Sequence, residues 1–471
     1  MHSTTTTTTT TTHHQLTMAM TNTKMSILMF PWLAHGHISP FLELAKKLTD
    51  RNFMVYLCST PIILDGIKDK ISDSIQLVKL HLPSLPELPP HFHTTMGLPT
   101  HLMFTLKQAL DMSLPNFCNI LDTLKPDLVI YDLLQPWAAA AAAERDIPAV
   151  EFISSSGTMT SFQFHHVHHP YKVFPFPTIY YRDYESRAQS QREDELKKDR
   201  NYEKERQRGI LALRLSHDIV LIKSFAELEG KYNDYLSGVV GKKIIPVGPL
   251  IKDPNLEEEG SDIIKWLNGK AMGSTVYTSF GSEFFLSKED LEEIAYGLEK
   301  SNVSFIWVVR FPKGEKTRVC DELPLGFLER VGDRGLVVEG WAPQIRILNH
   351  PSIGGFVSHC GWNSVMESIK FGIPIIAMPM HLDQPVNARL VEEVGVGIEV
   401  VRDSDGRLHR EEVTAVIRRV VVEKGGDVVR KNAKKFSKNI DKKGDEEIDA
   451  VVKELNRLVQ KKPAAGAVTY W

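Results

Sequence analysis

Cysteine is scarce in this chain of 471 residues: Cys58, Cys118, Cys320 and Cys360 stand far apart. They form no metal-ligand spacing and no paired framework, which sets aside zinc-ribbon and disulfide-stapled architectures and suits a reducing cytoplasm. Net charge is also slight, −3 from 56 basic and 59 acidic residues, so nothing points to nucleic acid or an anionic membrane as partner. No run approaches the ~18–20 apolar residues of a bilayer span. The first βα turn lacks G-x-G-x-x-G, which leaves a nicotinamide dehydrogenase without its phosphate-binding fingerprint.

What is present is an ordinary globular composition, 42% hydrophobic and 24% charged, on a length that suits about two domains of ~200 residues. Residues 1–24, with nine consecutive threonines, have no core-forming pattern and are set apart as a disordered leader. From Met25 onward, short apolar runs alternate with helix-period segments. SILMF, MVYLC, IQLVKL, DLVIYD, AVEFIS and DIVLIK read as buried strands; TVYTSF, SFIWVVR, LVVEGW, IGGFVSH, GIPIIAMP and GIEVV form a second series. Ser39 reads as an N-cap with Pro40 at the first helical position. Ser287 and Asp290 form a capping-box-like pair ahead of a buried stripe of Leu291, Ile294, Ala295 and Leu298. Two doubly wound α/β units follow, residues 25–250 and 261–443. The Pro-rich stretch 243–260 reads as connection, with 251–260 the linker proper, and 444–471 as a closing helix and tail returning to the first unit. The charge-dense segment 181–209 reads as a solvated loop running into a helix, with a lid over substrate as the alternative.

Ligands of such sheets bind at the carboxyl ends of the strands, and three neighbouring junctions of the second unit carry matching chemistry. In VSHCGWNSVMES, Gly361 permits close approach, the free N–H groups of Asn363 and Ser364 make an anion site, and His359 adds a donor. Glu367, one turn on, suits a vicinal diol. Taken alone this stretch is equally a capped helix with a buried Trp. Trp341 and Gln344 in WAPQIRIL offer a face for a base, and Asp383 and Gln384 in HLDQPVN offer groups for sugar hydroxyls.

Residues 341–384 resemble the 44-residue signature box of plant secondary-product UDP-sugar glycosyltransferases, and the likeness extends from Met25 to the carboxyl terminus. The resemblance implies the GT-B fold, two Rossmann-like domains facing across a cleft, with acceptor in the first and UDP-sugar in the second. It implies that Trp341 stacks on uracil, with Ala342 and Gln344 completing the base and ribose contacts and Glu367 holding the ribose. His359, Gly361, Asn363, Ser364 and Ser282 would surround the diphosphate, and Trp362, Asp383 and Gln384 the sugar. A terminal Gln in the box is associated with glucose donors.

In the first unit His37 follows the first strand and Asp132 ends another, so both face one cleft. A helix N-terminus favours the neutral imidazole a base requires, and Asp132 would orient it. On pattern alone both residues also read as structural. Gly36-His37-Ile38-Ser39-Pro40 matches the family's G-H-x-x-P and identifies His37, ahead of nearby His35, as the base. The mechanism implied is in-line displacement with inversion, needing no metal or other cofactor. Ser155 is a candidate acceptor or sugar contact, and His165, from FHHVHHP, a candidate for lining the acceptor pocket. His165/His169 as metal ligands and Asp403-Ser404-Asp405 as a DxD site are set aside for want of a third ligand and for turn composition. PWLAHGHISPFLELAKKL, LPPHFHTTMGLP, YDLLQPWA and FGSE resemble the branch-forming subgroup that adds glucose to sugars of small-molecule glycosides. Transfer to an aglycone and a non-catalytic UDP-sugar-binding protein are the competing readings. A monomer is expected.

Overall fold

The structure is a computed structural model that describes residues 24–71, 74–199, 201–254, 261–281, 285–311 and 319–460. The Thr-rich leader, most of the expected linker and Ser282 lie outside the described residues.

The first domain is a parallel sheet of β1 (Ser26–Phe30), β2 (Met54–Ser59), β3 (Ile75–Lys79), β4 (Leu128–Tyr131), β5 (Ala149–Ile153), β6 (Ile219–Ile222) and β7 (Lys243–Pro246). Its order is β3-β2-β1-β4-β5-β6-β7. The second domain has β8 (Thr275–Ser279), β9 (Ser304–Val309), β10 (Gly335–Glu339), β11 (Ile353–Ser358), β12 (Ile375–Ala377) and β13 (Gly397–Glu399), ordered β10-β9-β8-β11-β12-β13. The apolar runs become strands because helices cover both faces. Ile27, Met29 and Val55 pack one face of the first sheet, while Leu28, Phe30 and Val129 pack the other.

Each sheet reverses its winding once, between β1 and β4 in the first domain and between β8 and β11 in the second. Such a switch point opens a crevice at the strand ends, and there the chain places His37 and Asp132 in the first domain and His359 in the second.

Three expectations change. The first helix runs His35–Thr49, so Pro40 lies inside it and Ser39 is not its cap. The ring costs the helix one hydrogen bond, to the carbonyl of Gly36, and that group finds another partner described below. Lys243–Pro246, read as linker, is the seventh strand; its Pro is tolerated because β7 is an edge. The segment 181–209 forms two helices, Asp183–Leu196 and Tyr202–Leu215, and its beginning is bonded to the second domain. The Ser287 reading holds: its hydroxyl accepts from Asp290 N at 3.1 Å, and Leu291, Ile294, Ala295 and Leu298 are all buried. The last helix, Ile440–Gln460, returns to the first domain, where Ile448, Val451, Leu455 and Leu458 join its core.

Candidate active site

At the first switch point the helix His35–Thr49 starts five residues beyond β1, and His37 stands in its first turn. The His37 Nδ1 lies 2.7 Å from Asp132 Oδ2 and 3.2 Å from Ser154 Oγ. Asp132 is wholly buried, while a quarter of the His37 side chain is exposed. With Nδ1 committed to a carboxylate, Nε2 is the nitrogen suited to accept a proton. Glu151, on β5 beside β4, is pushed well above the usual carboxylate range by burial, with the Asp132 charge adding to the effect. That burial favours its neutral form, and Asp132 is the carboxylate that faces His37.

At the second switch point β11 ends and Cys360 turns the chain with φ +64°. The helix Trp362–Phe371 then begins at Gly361 with no side chain capping it. The N–H groups of a helix's first turn have no partner within the helix and suit an anion. Burial lowers the His359 imidazole to about 4, with His381 pushing the same way, so it is neutral. Its Nδ1 is buried without a hydrogen-bond partner among the described residues. A Cβ at Gly281 would lie 2.7 Å from His359 Nε2, and one at Gly361 only 2.5 Å away. Gly361 thus makes room for the imidazole.

Gln344, Ser364 and Glu367 come together. The Gln344 Nε2 donates to Glu367 Oε2 at 2.7 Å and Ser364 Oγ at 3.2 Å, while Tyr277 donates to Gln344 Oε1 at 3.3 Å. Trp341 is 57% exposed at the cleft mouth, with the Arg310 guanidinium over its ring and His35 edge-on across the cleft. Ala342 is buried, its carbonyl accepting from Gln344 N at 2.8 Å. Asp383 is raised by burial, against the opposing hydrogen bond from Asn387. Gln384 is buried, and its Oε1 accepts from the N–H groups of Met380 and His381, both at 3.0 Å.

Two predicted residues have other partners than expected. The Trp362 indole is buried and donates to the Lys223 carbonyl at 2.6 Å, which makes it an interdomain strut. His165, expected to line the acceptor pocket, is bonded to protein through both ring nitrogens. Burial leaves it facing protein on both sides, with Nδ1 2.5 Å from Tyr235 Oη and Nε2 2.8 Å from the Lys172 carbonyl. Ser155 is half-buried, and its neighbour Ser154 is the one that reaches His37. Sequence reasoning also missed Lys223 and Asn387. Lys223 ends an apolar strand where a buried charge is uncommon, a signal that was there to be read. Asn387 accepts from Ser156 across the domains at 2.7 Å and donates to the Cys360 carbonyl and to Asp383.

No three His, Cys, Asp or Glu side chains gather as a metal-ligand set among the described residues. Asp403 accepts from Asp405 N, Arg407 N and His409 within its own turn. No helix among them is long and apolar enough to cross a membrane.

Two Rossmann-like domains meeting strand end to strand end define a GT-B protein, here with a His–Asp pair facing an uncapped helix N-terminus. Residues 255–452 match the model of the UDP-glucoronosyl and UDP-glucosyl transferase family, and residues 23–252 that of the glycosyltransferase N-terminal domain. The chain is 53% identical to mogroside IIIx synthase of Siraitia grosvenorii over 446 residues, 92% of this chain and 93% of the relative. It is 52% identical to β-D-glucosyl crocetin β-1,6-glucosyltransferase of Gardenia jasminoides, over 92% and 98% respectively. The crystal structure of Glycyrrhiza uralensis UGT73P12, complexed with glycyrrhetinic acid 3-O-monoglucuronide, matches with a TM-score of 0.81 at 25% identity, covering 93% of this chain and 96% of that one. The chain belongs to the UDP-glycosyltransferase family and is a UDP-sugar-dependent transferase.

Proposed function

We propose that this enzyme transfers glucose from UDP-glucose, with inversion, to a sugar hydroxyl of a small-molecule glycoside. The observation that carries the chemistry is the 2.7 Å His37–Asp132 pair opposite the uncapped helix at Trp362. His37 Nε2 takes the acceptor hydroxyl proton while the oxygen attacks the anomeric carbon. The bond from that carbon to the UDP oxygen breaks, and the electron pair leaves with UDP. Attack from the opposite face turns an α-linked donor into a β-glycoside. Asp132 holds the ring and stabilises the imidazolium as it forms, a contribution of ~10²–10⁴-fold for well-placed acid–base groups.

The leaving diphosphate is received by the N–H groups at Trp362, Asn363 and Ser364 and by neutral His359 as a donor. No step is assigned to a metal, and turnover unchanged in EDTA is the expected result. Glu367 and Gln344 serve the ribose, Trp341 the uracil, and Asp383 and Gln384 the sugar. A sugar acceptor is supported by the relatives, one of which is named for a glucosyl substrate. The free thiols of Cys58, Cys118 and Cys360 support a reducing compartment such as the cytoplasm.

The test is a panel of UDP-sugars crossed with aglycones and their monoglucosides, products read by mass spectrometry and NMR. Extension of monoglucosides by a β-linked hexose is expected. Turnover confined to free aglycones would overturn the acceptor assignment.

A further inference from the structure

Lys223 follows β6 in the first domain, is 2% exposed, and directs its ammonium across the cleft. Its Nζ donates to Asn363 Oδ1. The other end of that amide, Nδ2, donates to the Gly36 carbonyl at 3.4 Å. This is the carbonyl that Pro40, four residues on and lacking an N–H, leaves outside the helix ladder. The Lys223 backbone carbonyl meanwhile accepts from the Trp362 indole. One lysine therefore holds two consecutive residues at the start of the helix that faces the donor, and through Asn363 reaches the residue before His37.

We propose that Lys223 is a positioning residue: it fixes the Asn363 side chain and so sets the spacing between the turn bearing His37 and the helix N-terminus that receives the diphosphate. This rests on the site reading given above for the diphosphate. Two carboxylates on flanking elements bear on the ammonium, Glu43 on the helix His35–Thr49 and Glu367 on the helix Trp362–Phe371. Burial nevertheless outweighs their pull and lowers the amine to about 8.

Calorimetry with two probes, UDP and uridine, tests the assignment. Lys223→Met should weaken UDP about tenfold and leave uridine within about twofold, because only UDP carries the diphosphate. In an Asn363→Ala background the same substitution should cost less than about twofold more, since the effect runs through Asn363. Unchanged UDP affinity, equal losses for uridine, or full additivity would each overturn the proposal. A second measurement needs no destabilising variant. Wild-type UDP affinity should fall from about pH 7 to about pH 9, as the free enzyme's Lys223 loses its proton, while Lys223→Arg stays level because guanidinium keeps its charge. Uridine at each pH subtracts the ionisation of the base. A wild-type profile as flat as that of the arginine variant would also overturn it. Failure of the diphosphate reading looks different, since UDP would then bind no better than uridine to the wild-type protein.

Discussion

The two domains meet along two seams built from opposite materials. On the cleft side the contacts are mostly uncharged, Gly36 with Asn363, Ser156 with Asn387 and Trp362 with the Lys223 carbonyl, and the Lys223 ammonium on Asn363 is the charged exception. The other seam, here called the rear one, is ionic and centred on a buried arginine. Arg389, 2% exposed, donates to Glu185 at 3.0 Å and to Glu399, which also receives Arg182 at 3.0 Å. Glu393 gathers Thr178, Lys231 and Tyr232 beside them. Buried charges cost several kcal/mol each unless fully paired, so the rear seam tolerates little displacement. Neutral hydrogen bonds, worth about 1 kcal/mol each, can be exchanged as substrates enter. Under the proposed mechanism the difference is a division of labour: the rear seam holds the domains, and the front seam carries the chemistry.

Damage to the front should therefore abolish turnover without unfolding. His37→Ala is expected to lower turnover by ~10²–10⁴-fold while UDP binding, read by calorimetry, stays within about twofold. Wild-type-like turnover would remove His37 from the role of base. Damage to the rear should do the reverse. Arg389→Met removes the guanidinium shared by Glu185 and Glu399, leaving Glu399 with Arg182 as its cation, and about 3–5 kcal/mol of stability should be lost, read as a fall in the thermal transition with UDP affinity of the folded protein retained. If Arg389→Met left the transition in place and weakened UDP instead, the two seams would not be separate in function.

The same contrast explains what was legible in the sequence. The strand ends of the front seam could be read because their chemistry is local: Trp341 and Gln344 sit on one junction, and His359 through Glu367 on the next. The structure brings Gln344, Ser364 and Glu367 within hydrogen-bond reach. The sheets were legible for a related reason, since runs apolar throughout fit strands covered on both faces. The rear seam was not. Glu185 and Arg389 are 204 residues apart in the chain, and Arg182 and Glu185 sit in a segment whose composition reads as solvated. Charge density alone does not reveal that two of those charges have buried partners in another domain. His165 is a similar case in part, because nothing local announces Tyr235, 70 residues on, as a partner of its ring.

The smallest expected effect concerns a group at the floor of the front seam. An unfolded histidine titrates near 6.5, whereas burial brings His359 to about 4. Between those values the unfolded chain holds a proton that the folded chain lacks, so stability rises with pH across this window. The contribution is fully present above about 6.5 and is lost as pH falls toward about 4. His359→Asn should flatten that acid limb, shifting the thermal transition at about pH 5 by on the order of a few degrees relative to its value at pH 7. A variant as acid-sensitive as the wild type would assign the limb to other groups. UDP sharpens the test, because a diphosphate beside the imidazole favours its charged form and raises its pKa. The stabilisation given by saturating UDP should then grow as pH drops from about 6.5 to about 5 in the wild type and stay level in His359→Asn. Growth in both proteins would move the anion away from His359 and leave the helix N–H groups to hold it alone.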